Sequence, residues 1–278
     1  MPEKLVVDTH IQITSAESDR VRAAVPYRTH RYGEGPRETM DEFGVDSLPD
    51  DAPIFVYIHG GYWQHLSKDV SCYPVGPLYD AGIRVLVVGY DLAPHANMAQ
   101  IVEEIKRAGS HVMALAEKLS SRGVWFSGFS AGGHLTGVLL TSGWMDSLPE
   151  PQSRLIKGFL PISGIFDLRP IVHTYINKPL QMNEEEAERH SPMSMNIHNN
   201  HDVKVVIIYG QNDSPAFHSQ SRQFLEKNIL LQKVCEKKMD AKCYEVPEVD
   251  HFNLVENLIQ PDNVLTKKLI SIIKRKIV

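Results

Sequence analysis

Three cysteines in 278 residues are few, and Cys72, Cys235 and Cys243 leave one over and match no metal-ligand spacing. That excludes a disulfide-stapled scaffold; all three are expected as unpaired thiols in a reducing compartment. No apolar run approaches the roughly twenty residues that cross a bilayer. The opening Met1-Pro2-Glu3-Lys4-Leu5 lacks the basic and apolar regions of a secretory signal, so the chain is expected in the cytosol. Positive charge is not in excess either. With 29 Lys and Arg against 34 Asp and Glu, interspersed, neither nucleic acid nor an anionic membrane is expected as partner. H-E-x-x-H, a C-x-x-C pair, G-x-x-x-x-G-K-[ST] and a post-strand G-x-G-x-x-G are all missing, so no metal and no cofactor is expected.

What remains is an ordinary globular composition, 42% apolar and 23% charged, long enough for one large core. The first thirty residues mix charged and β-branched residues without a clean period, and no element is assigned to them. The expected division is an N-terminal segment over 1–30 and a single domain over 31–278, with no repeat or low-complexity linker.

Beyond the first segment, short runs rich in β-branched and aromatic residues read as buried strands: Ile54 to Ile58, Arg84 to Tyr90, Val124 to Ser127, Gly158 to Ile162 and Val203 to Tyr209. Met98 to Leu119 places Ile101, Ile105, Ala108, Val112, Leu115 and Leu119 close to a 3.6-residue period. Leu135 to Leu140, Phe217 to Leu230 and Val264 to Ile277 also read as helical. This alternation predicts an α/β fold: a mostly parallel central sheet with helices on both faces and ligand chemistry beyond the strands' carboxyl ends.

Gly128-Phe129-Ser130-Ala131-Gly132 lies between a predicted strand and a predicted helix. G-x-S-x-G alone is weak, since chance supplies about 0.1 occurrences in such a chain. Its setting is that of the α/β-hydrolase fold, where a strained strand-to-helix turn lifts a nucleophilic serine above the sheet. The competing reading, a serine that only caps a helix, leaves the preceding strand and both glycines unexplained. Ser130 is therefore the candidate nucleophile. Ala131 and the glycine loop after the first central strand, His59-Gly60-Gly61-Tyr62-Trp63, are placed to donate N–H groups to an oxyanion. Gly60 and Gly61 are equally a turn signal taken alone, and Tyr62 and Trp63 either wall a small acyl pocket or pack over the sheet top. His59 is expected to brace the loop.

A serine needs a histidine base and an orienting carboxylate, in this fold in the order Ser, acid, His. Asp213 ends the fifth predicted strand, and His251 follows the candidate strand Lys242 to Val246. Asp167, followed by Leu168-Arg169-Pro170, suits a helix cap better. Asp250 adjoins His251 too closely for the usual geometry, and His190, His198 and His201 sit in a polar stretch. The expected catalytic set is Ser130, Asp213 and His251.

His59 to Gln64, with Ser67-Lys68-Asp69 close behind, resembles the HGGxW signature of kynurenine formamidases (arylformamidases). Gly128 to Leu135 is similar to their nucleophile segment, and Ser163-Gly164-Ile165-Phe166-Asp167-Leu168 to their post-strand turn. Gly210 to Pro215 and Asp250 to Asn257 resemble their acid and histidine loops. The likeness runs from about Tyr32 to near the C-terminus; residues 1 to about 30 fall outside it. It implies hydrolysis of N-formyl-L-kynurenine to L-kynurenine and formate, a step of tryptophan breakdown. The small-molecule substrate is then the expected partner, with a homodimer left open. A broad carboxylesterase of the hormone-sensitive-lipase type is the alternative enzyme. A non-catalytic receptor on this fold generally lacks a triad member, whereas Ser130, Asp213 and His251 are all available here.

Overall fold

Among the residues described by the computed structural model (3–195, 202–234 and 239–274), eight strands build one sheet. They are β1 (Tyr27–Arg31), β2 (Thr39–Phe43), β3 (Ile54–Ile58), β4 (Arg84–Val88), β5 (Val124–Phe129), β6 (Ile156–Ile162), β7 (Val203–Gly210) and β8 (Met239–Val246). Their spatial order is β1-β2-β4-β3-β5-β6-β7-β8. β1 and β2 run antiparallel to their neighbours, and β3 to β8 run parallel. Cys235, His198, His201 and Ile277 lie outside the described residues.

The central strands are apolar on both faces because both faces are covered. Helices α1 (Glu3–Ala24), α2 (Val75–Asp80), α3 (Met98–Lys118) and α4 (Ala131–Thr141) supply much of that cover. Ile54, Val56 and Ile58 of β3 join Ile101, Ile105 and Val112 of α3 and Leu135 and Val138 of α4. The alternate residues Phe55 and Tyr57 join Val75 and Leu78 of α2 with Leu265 and Leu269 of the helix Val264–Lys274. Each such large side chain taken from water contributes about 1.5–3 kcal/mol. α3 starts where Asn97 and Gln100 cap each other, both bonds at 2.9 Å.

The antiparallel edge is built on buried charge. Asp41 accepts from Thr29 (2.6 Å), Arg22 (2.6 Å) and Lys68 (2.8 Å), and Glu42 accepts from Arg84 (2.6 Å) and His30 (2.7 Å). α1 docks in the same manner. Its inward stripe is His10, Thr14, Ser18 and Val21, all buried. Ser18 Oγ accepts from the Cys72 backbone N–H at 2.9 Å, and His10 Nδ1 donates to Glu256 at 2.8 Å.

Parallel strands all end at one edge of the sheet, so residues that follow them converge there. Those residues are His59 after β3, Ser130 after β5, Ser163 after β6, Asp213 after β7 and His251 after β8.

Candidate active site

Ser130 sits at φ 55°, ψ −112°, between the end of β5 and the first turn of α4. A non-glycine residue there is strained, and the turn is held from both sides. The Ser130 N–H donates to Ile162 O at 2.9 Å, and Ser130 O accepts from His134 N at 3.0 Å. Gly132 lets α4 press against β3: a Cβ at 132 would lie 2.0 Å from Ile58 O. The N–H groups of a helix's first turn have no intrahelical acceptor, and the helix dipole adds positive potential there. Ala131 is in that turn.

The loop after β3 comes directly to the serine. A Cβ on Gly60 would meet Phe129 O at 2.9 Å and Ser130 Cβ at 3.4 Å. Gly61 has φ 100°, and a Cβ there would meet His65 O at 2.2 Å. His59 Nδ1 donates to Gly60 O at 2.8 Å, its ring stacks on Tyr90 at 4.2 Å, and the Tyr90 hydroxyl donates to His59 O. Burial pushes His59 down to about 4, so the ring is neutral.

Trp63 is fully buried, and its indole N–H donates to His134 Nδ1 at 3.1 Å. His134 must then carry its proton on Nε2, which donates to His190 O at 2.8 Å. Burial lowers this ring too, to about 3. Trp63 thus ties the loop to the helix behind Ser130, and half-buried Tyr62 is the more open of the two aromatic candidates.

Asp213 and His251 meet. The His251 Nδ1–H points between the two Asp213 oxygens, at 3.1 and 3.2 Å. Ser214 N–H fixes Oδ1 at 2.9 Å, and the Ser163 hydroxyl fixes Oδ2 at 2.6 Å. Burial alone would raise Asp213; the His251 ring, Ser163 and Ser214 N–H outweigh it and hold the carboxyl below its ordinary value. Because a carboxylate only accepts, Nδ1 is the donor and the neutral ring keeps Nε2 as its base.

That ring is clamped between Phe129 (centroids 4.6 Å apart) and Phe217 (4.4 Å). Phe129 immediately precedes Ser130, so the histidine stands beside the nucleophile turn. Among the described residues no hydrogen bond links the Ser130 hydroxyl to the ring.

The competing acids are otherwise engaged. Asp250 Oδ1 accepts from Phe252 N and Asn253 N at the start of a short helix, and Asp167 accepts from Arg169. Sequence reasoning gave no role to Ser163, Phe217 or His10. Ser163 follows a strand's carboxyl end, the same signal that marks Asp213. No group of three or more His, Cys, Asp or Glu suited to a metal occurs among the described residues, and no described helix is long and apolar enough to cross a membrane.

Comparison with known proteins gives the family. The BD-FAE family model matches residues 45–228. Kynurenine formamidase of Salmo salar is 36% identical, covering 95% of this chain and 88% of that protein. Kynurenine formamidase of Danio rerio is 34% identical over 96% and 89%. Among solved structures, a candidate thioesterase of Silicibacter sp. is 28% identical with a TM-score of 0.77, covering 96% of this chain and 94% of that one. On family model, curated relatives and fold together, the chain belongs to the BD-FAE and kynurenine formamidase families of α/β hydrolases.

Proposed function

We propose that this hydrolase cleaves N-formyl-L-kynurenine to L-kynurenine and formate through Ser130, His251 and Asp213. The reading rests on one observation above all: the His251 ring, fixed by Asp213, lies against Phe129, the residue before Ser130.

In this mechanism Ser130 Oγ attacks the formyl carbon while its proton passes to His251 Nε2. The tetrahedral oxygen faces N–H groups of Gly60, Gly61 and Ala131, where each donor supplies about 3–4 kcal/mol of transition-state stabilisation. His251 then protonates the aryl nitrogen, the C–N bond breaks, and the amine leaves. Water loses a proton to His251, attacks the formyl ester and releases formate, and the proton returns to Ser130. Asp213 stays ionised and steadies the imidazolium. A formyl group has no side chain, so the acyl pocket needs little room. Tyr62 borders it, and Trp63 supports that wall from behind.

Formate release from N-formyl-L-kynurenine is the direct test, with simple aryl esters run alongside. A wide kcat/KM preference for the esters sinks the formamidase assignment. Ser130→Ala is expected to lose at least about a thousandfold in kcat. The cytosol is the proposed location, in keeping with the unpaired thiols of Cys72 and Cys243.

A further inference from the structure

We infer that Ser163 is a positioning residue of the catalytic site, a hydroxyl that locks the Asp213 carboxylate so that His251 is aimed at Ser130. The inference rests on the triad reading above.

Ser163 is completely buried, and its hydroxyl donates to Asp213 Oδ2 at 2.6 Å, the shortest of that carboxylate's bonds. His251 is shared almost evenly between Oδ1 and Oδ2, at 3.1 and 3.2 Å. A donor so shared does not fix the carboxylate's rotation. Ser214 N–H on one oxygen and Ser163 on the other do.

Placement reinforces this. Ile162 O accepts the Ser130 N–H, and the next residue holds Asp213, so one dipeptide at the end of β6 touches both the nucleophile's backbone and the acid. The Ser163 N–H is anchored on Ile208 O of β7 at 2.7 Å. Ser163 also has φ 42°, a conformation that glycine adopts without strain and serine does not. The strained turn puts a hydroxyl where glycine would leave Oδ2 without that donor.

The test compares Ser163→Ala, Ser163→Gly and Asp213→Asn in the full chain, on N-formyl-L-kynurenine and on an aryl ester. Ser163→Gly guards against misfolding, because the backbone already suits glycine. Both Ser163 variants are expected to lose about tenfold in kcat with little change in KM. The acid limb of their kcat/KM profile should move up by about half to one pH unit, because a carboxylate short of one donor holds the protonated ring more tightly. Packing or turn strain alone would not move that limb. Should Asp213→Asn collapse activity while both Ser163 variants keep the wild-type kcat and profile, the inference about Ser163 is overturned and the triad stands. If Asp213→Asn leaves activity intact, the triad reading fails, and this inference with it. Turnover of the ester alone decides the role of Ser163 even if N-formyl-L-kynurenine proves not to be the substrate.

Discussion

Replacing Gly132 by alanine should damage both stability and activity, and the size of the effect follows from one contact. The added Cβ would lie 2.0 Å from Ile58 O and 2.7 Å from His59 O and Ile58 C. The first is about 1.4 Å inside ordinary van der Waals contact, and the obstacle is backbone, not a flexible side chain. Ile58 cannot retreat easily, being paired with Val88 on one side and Gly128 on the other. The cost therefore falls at the upper end of overpacking, about 3 kcal/mol. For a chain of this size that is a fall in Tm of about 6–12 °C. Activity should fall as well, because the displaced atoms lead straight into Gly60 and Gly61. Gly82→Ala is the control: Gly82 has φ 77° but nothing within 4 Å of the added carbon, so only dihedral strain of about 1–2 kcal/mol applies. Scanning calorimetry with kcat/KM on both variants checks the difference. A Gly132→Ala protein with wild-type Tm and rate, or a Gly82→Ala protein that loses as much, would refute the reasoning.

Acid should destabilise the fold through two buried histidines. His59 and His134 titrate near 4 and near 3 when folded, below the ordinary 6.5. From about pH 6.5 downward the unfolded chain takes up protons that the folded chain refuses, and stability drops until the folded values are reached. Urea unfolding at pH 7 and pH 5 should differ by up to about 4 kcal/mol, and equal midpoints would mean the rings are not held neutral. Trp63→Phe removes the donor to His134 Nδ1 and should cost about 1–3 kcal/mol by thermal unfolding, with a parallel loss of kcat/KM. Arg84→Met takes the guanidinium partner from the buried Glu42 carboxylate and should cost about 3–5 kcal/mol, most of it recovered when Glu42→Leu is added. An uncorrected double variant in denaturant titration would count against charge burial as the cause.

The parallel sheet and the loops that carry Asp213 and His251 were legible because their residues obey simple periods and positions. Ile54–Ile58 coincides with its predicted strand, and Met98–Lys118 stops one residue short of the predicted Leu119. Asp213 and His251 followed from the rule that chemistry gathers after strand ends, and Ser130 from a turn that needs glycine on both sides. Helix α1 was illegible because its inward stripe is polar: His10, Thr14 and Ser18 are buried, while Leu5, Val7, Ile11 and Ile13 are partly exposed. A hydropathy period looks for the reverse. β2 was missed for the same reason, since Asp41 and Glu42 are interior residues whose partners, Arg22, Lys68, Arg84 and His30, lie far along the chain. Pairings of that range leave no local mark. Nor did the sequence distinguish Trp63 as a brace from Tyr62 as a wall, because that depends on where His134 lies across the loop.

The docking of α1 has a bearing on whether the motifs around Ser130 and His251 can be moved about. His10 rests its ring 5.1 Å from Phe252 and 6.4 Å from Phe129, the residues adjoining His251 and Ser130, and bonds Glu256 beyond them. A shortened chain starting at Arg31 would keep every recognisable motif. It would still uncover Phe129 and Phe252, the aromatic neighbours of Ser130 and His251, and leave the Cys72 N–H and the Glu256 carboxylate without these partners. The motifs are therefore not a portable cassette: the likeness to the Salmo salar and Danio rerio proteins covers 95% and 96% of the chain, reaching back into α1, and a boundary drawn at Arg31 would sever the motifs from part of their own housing.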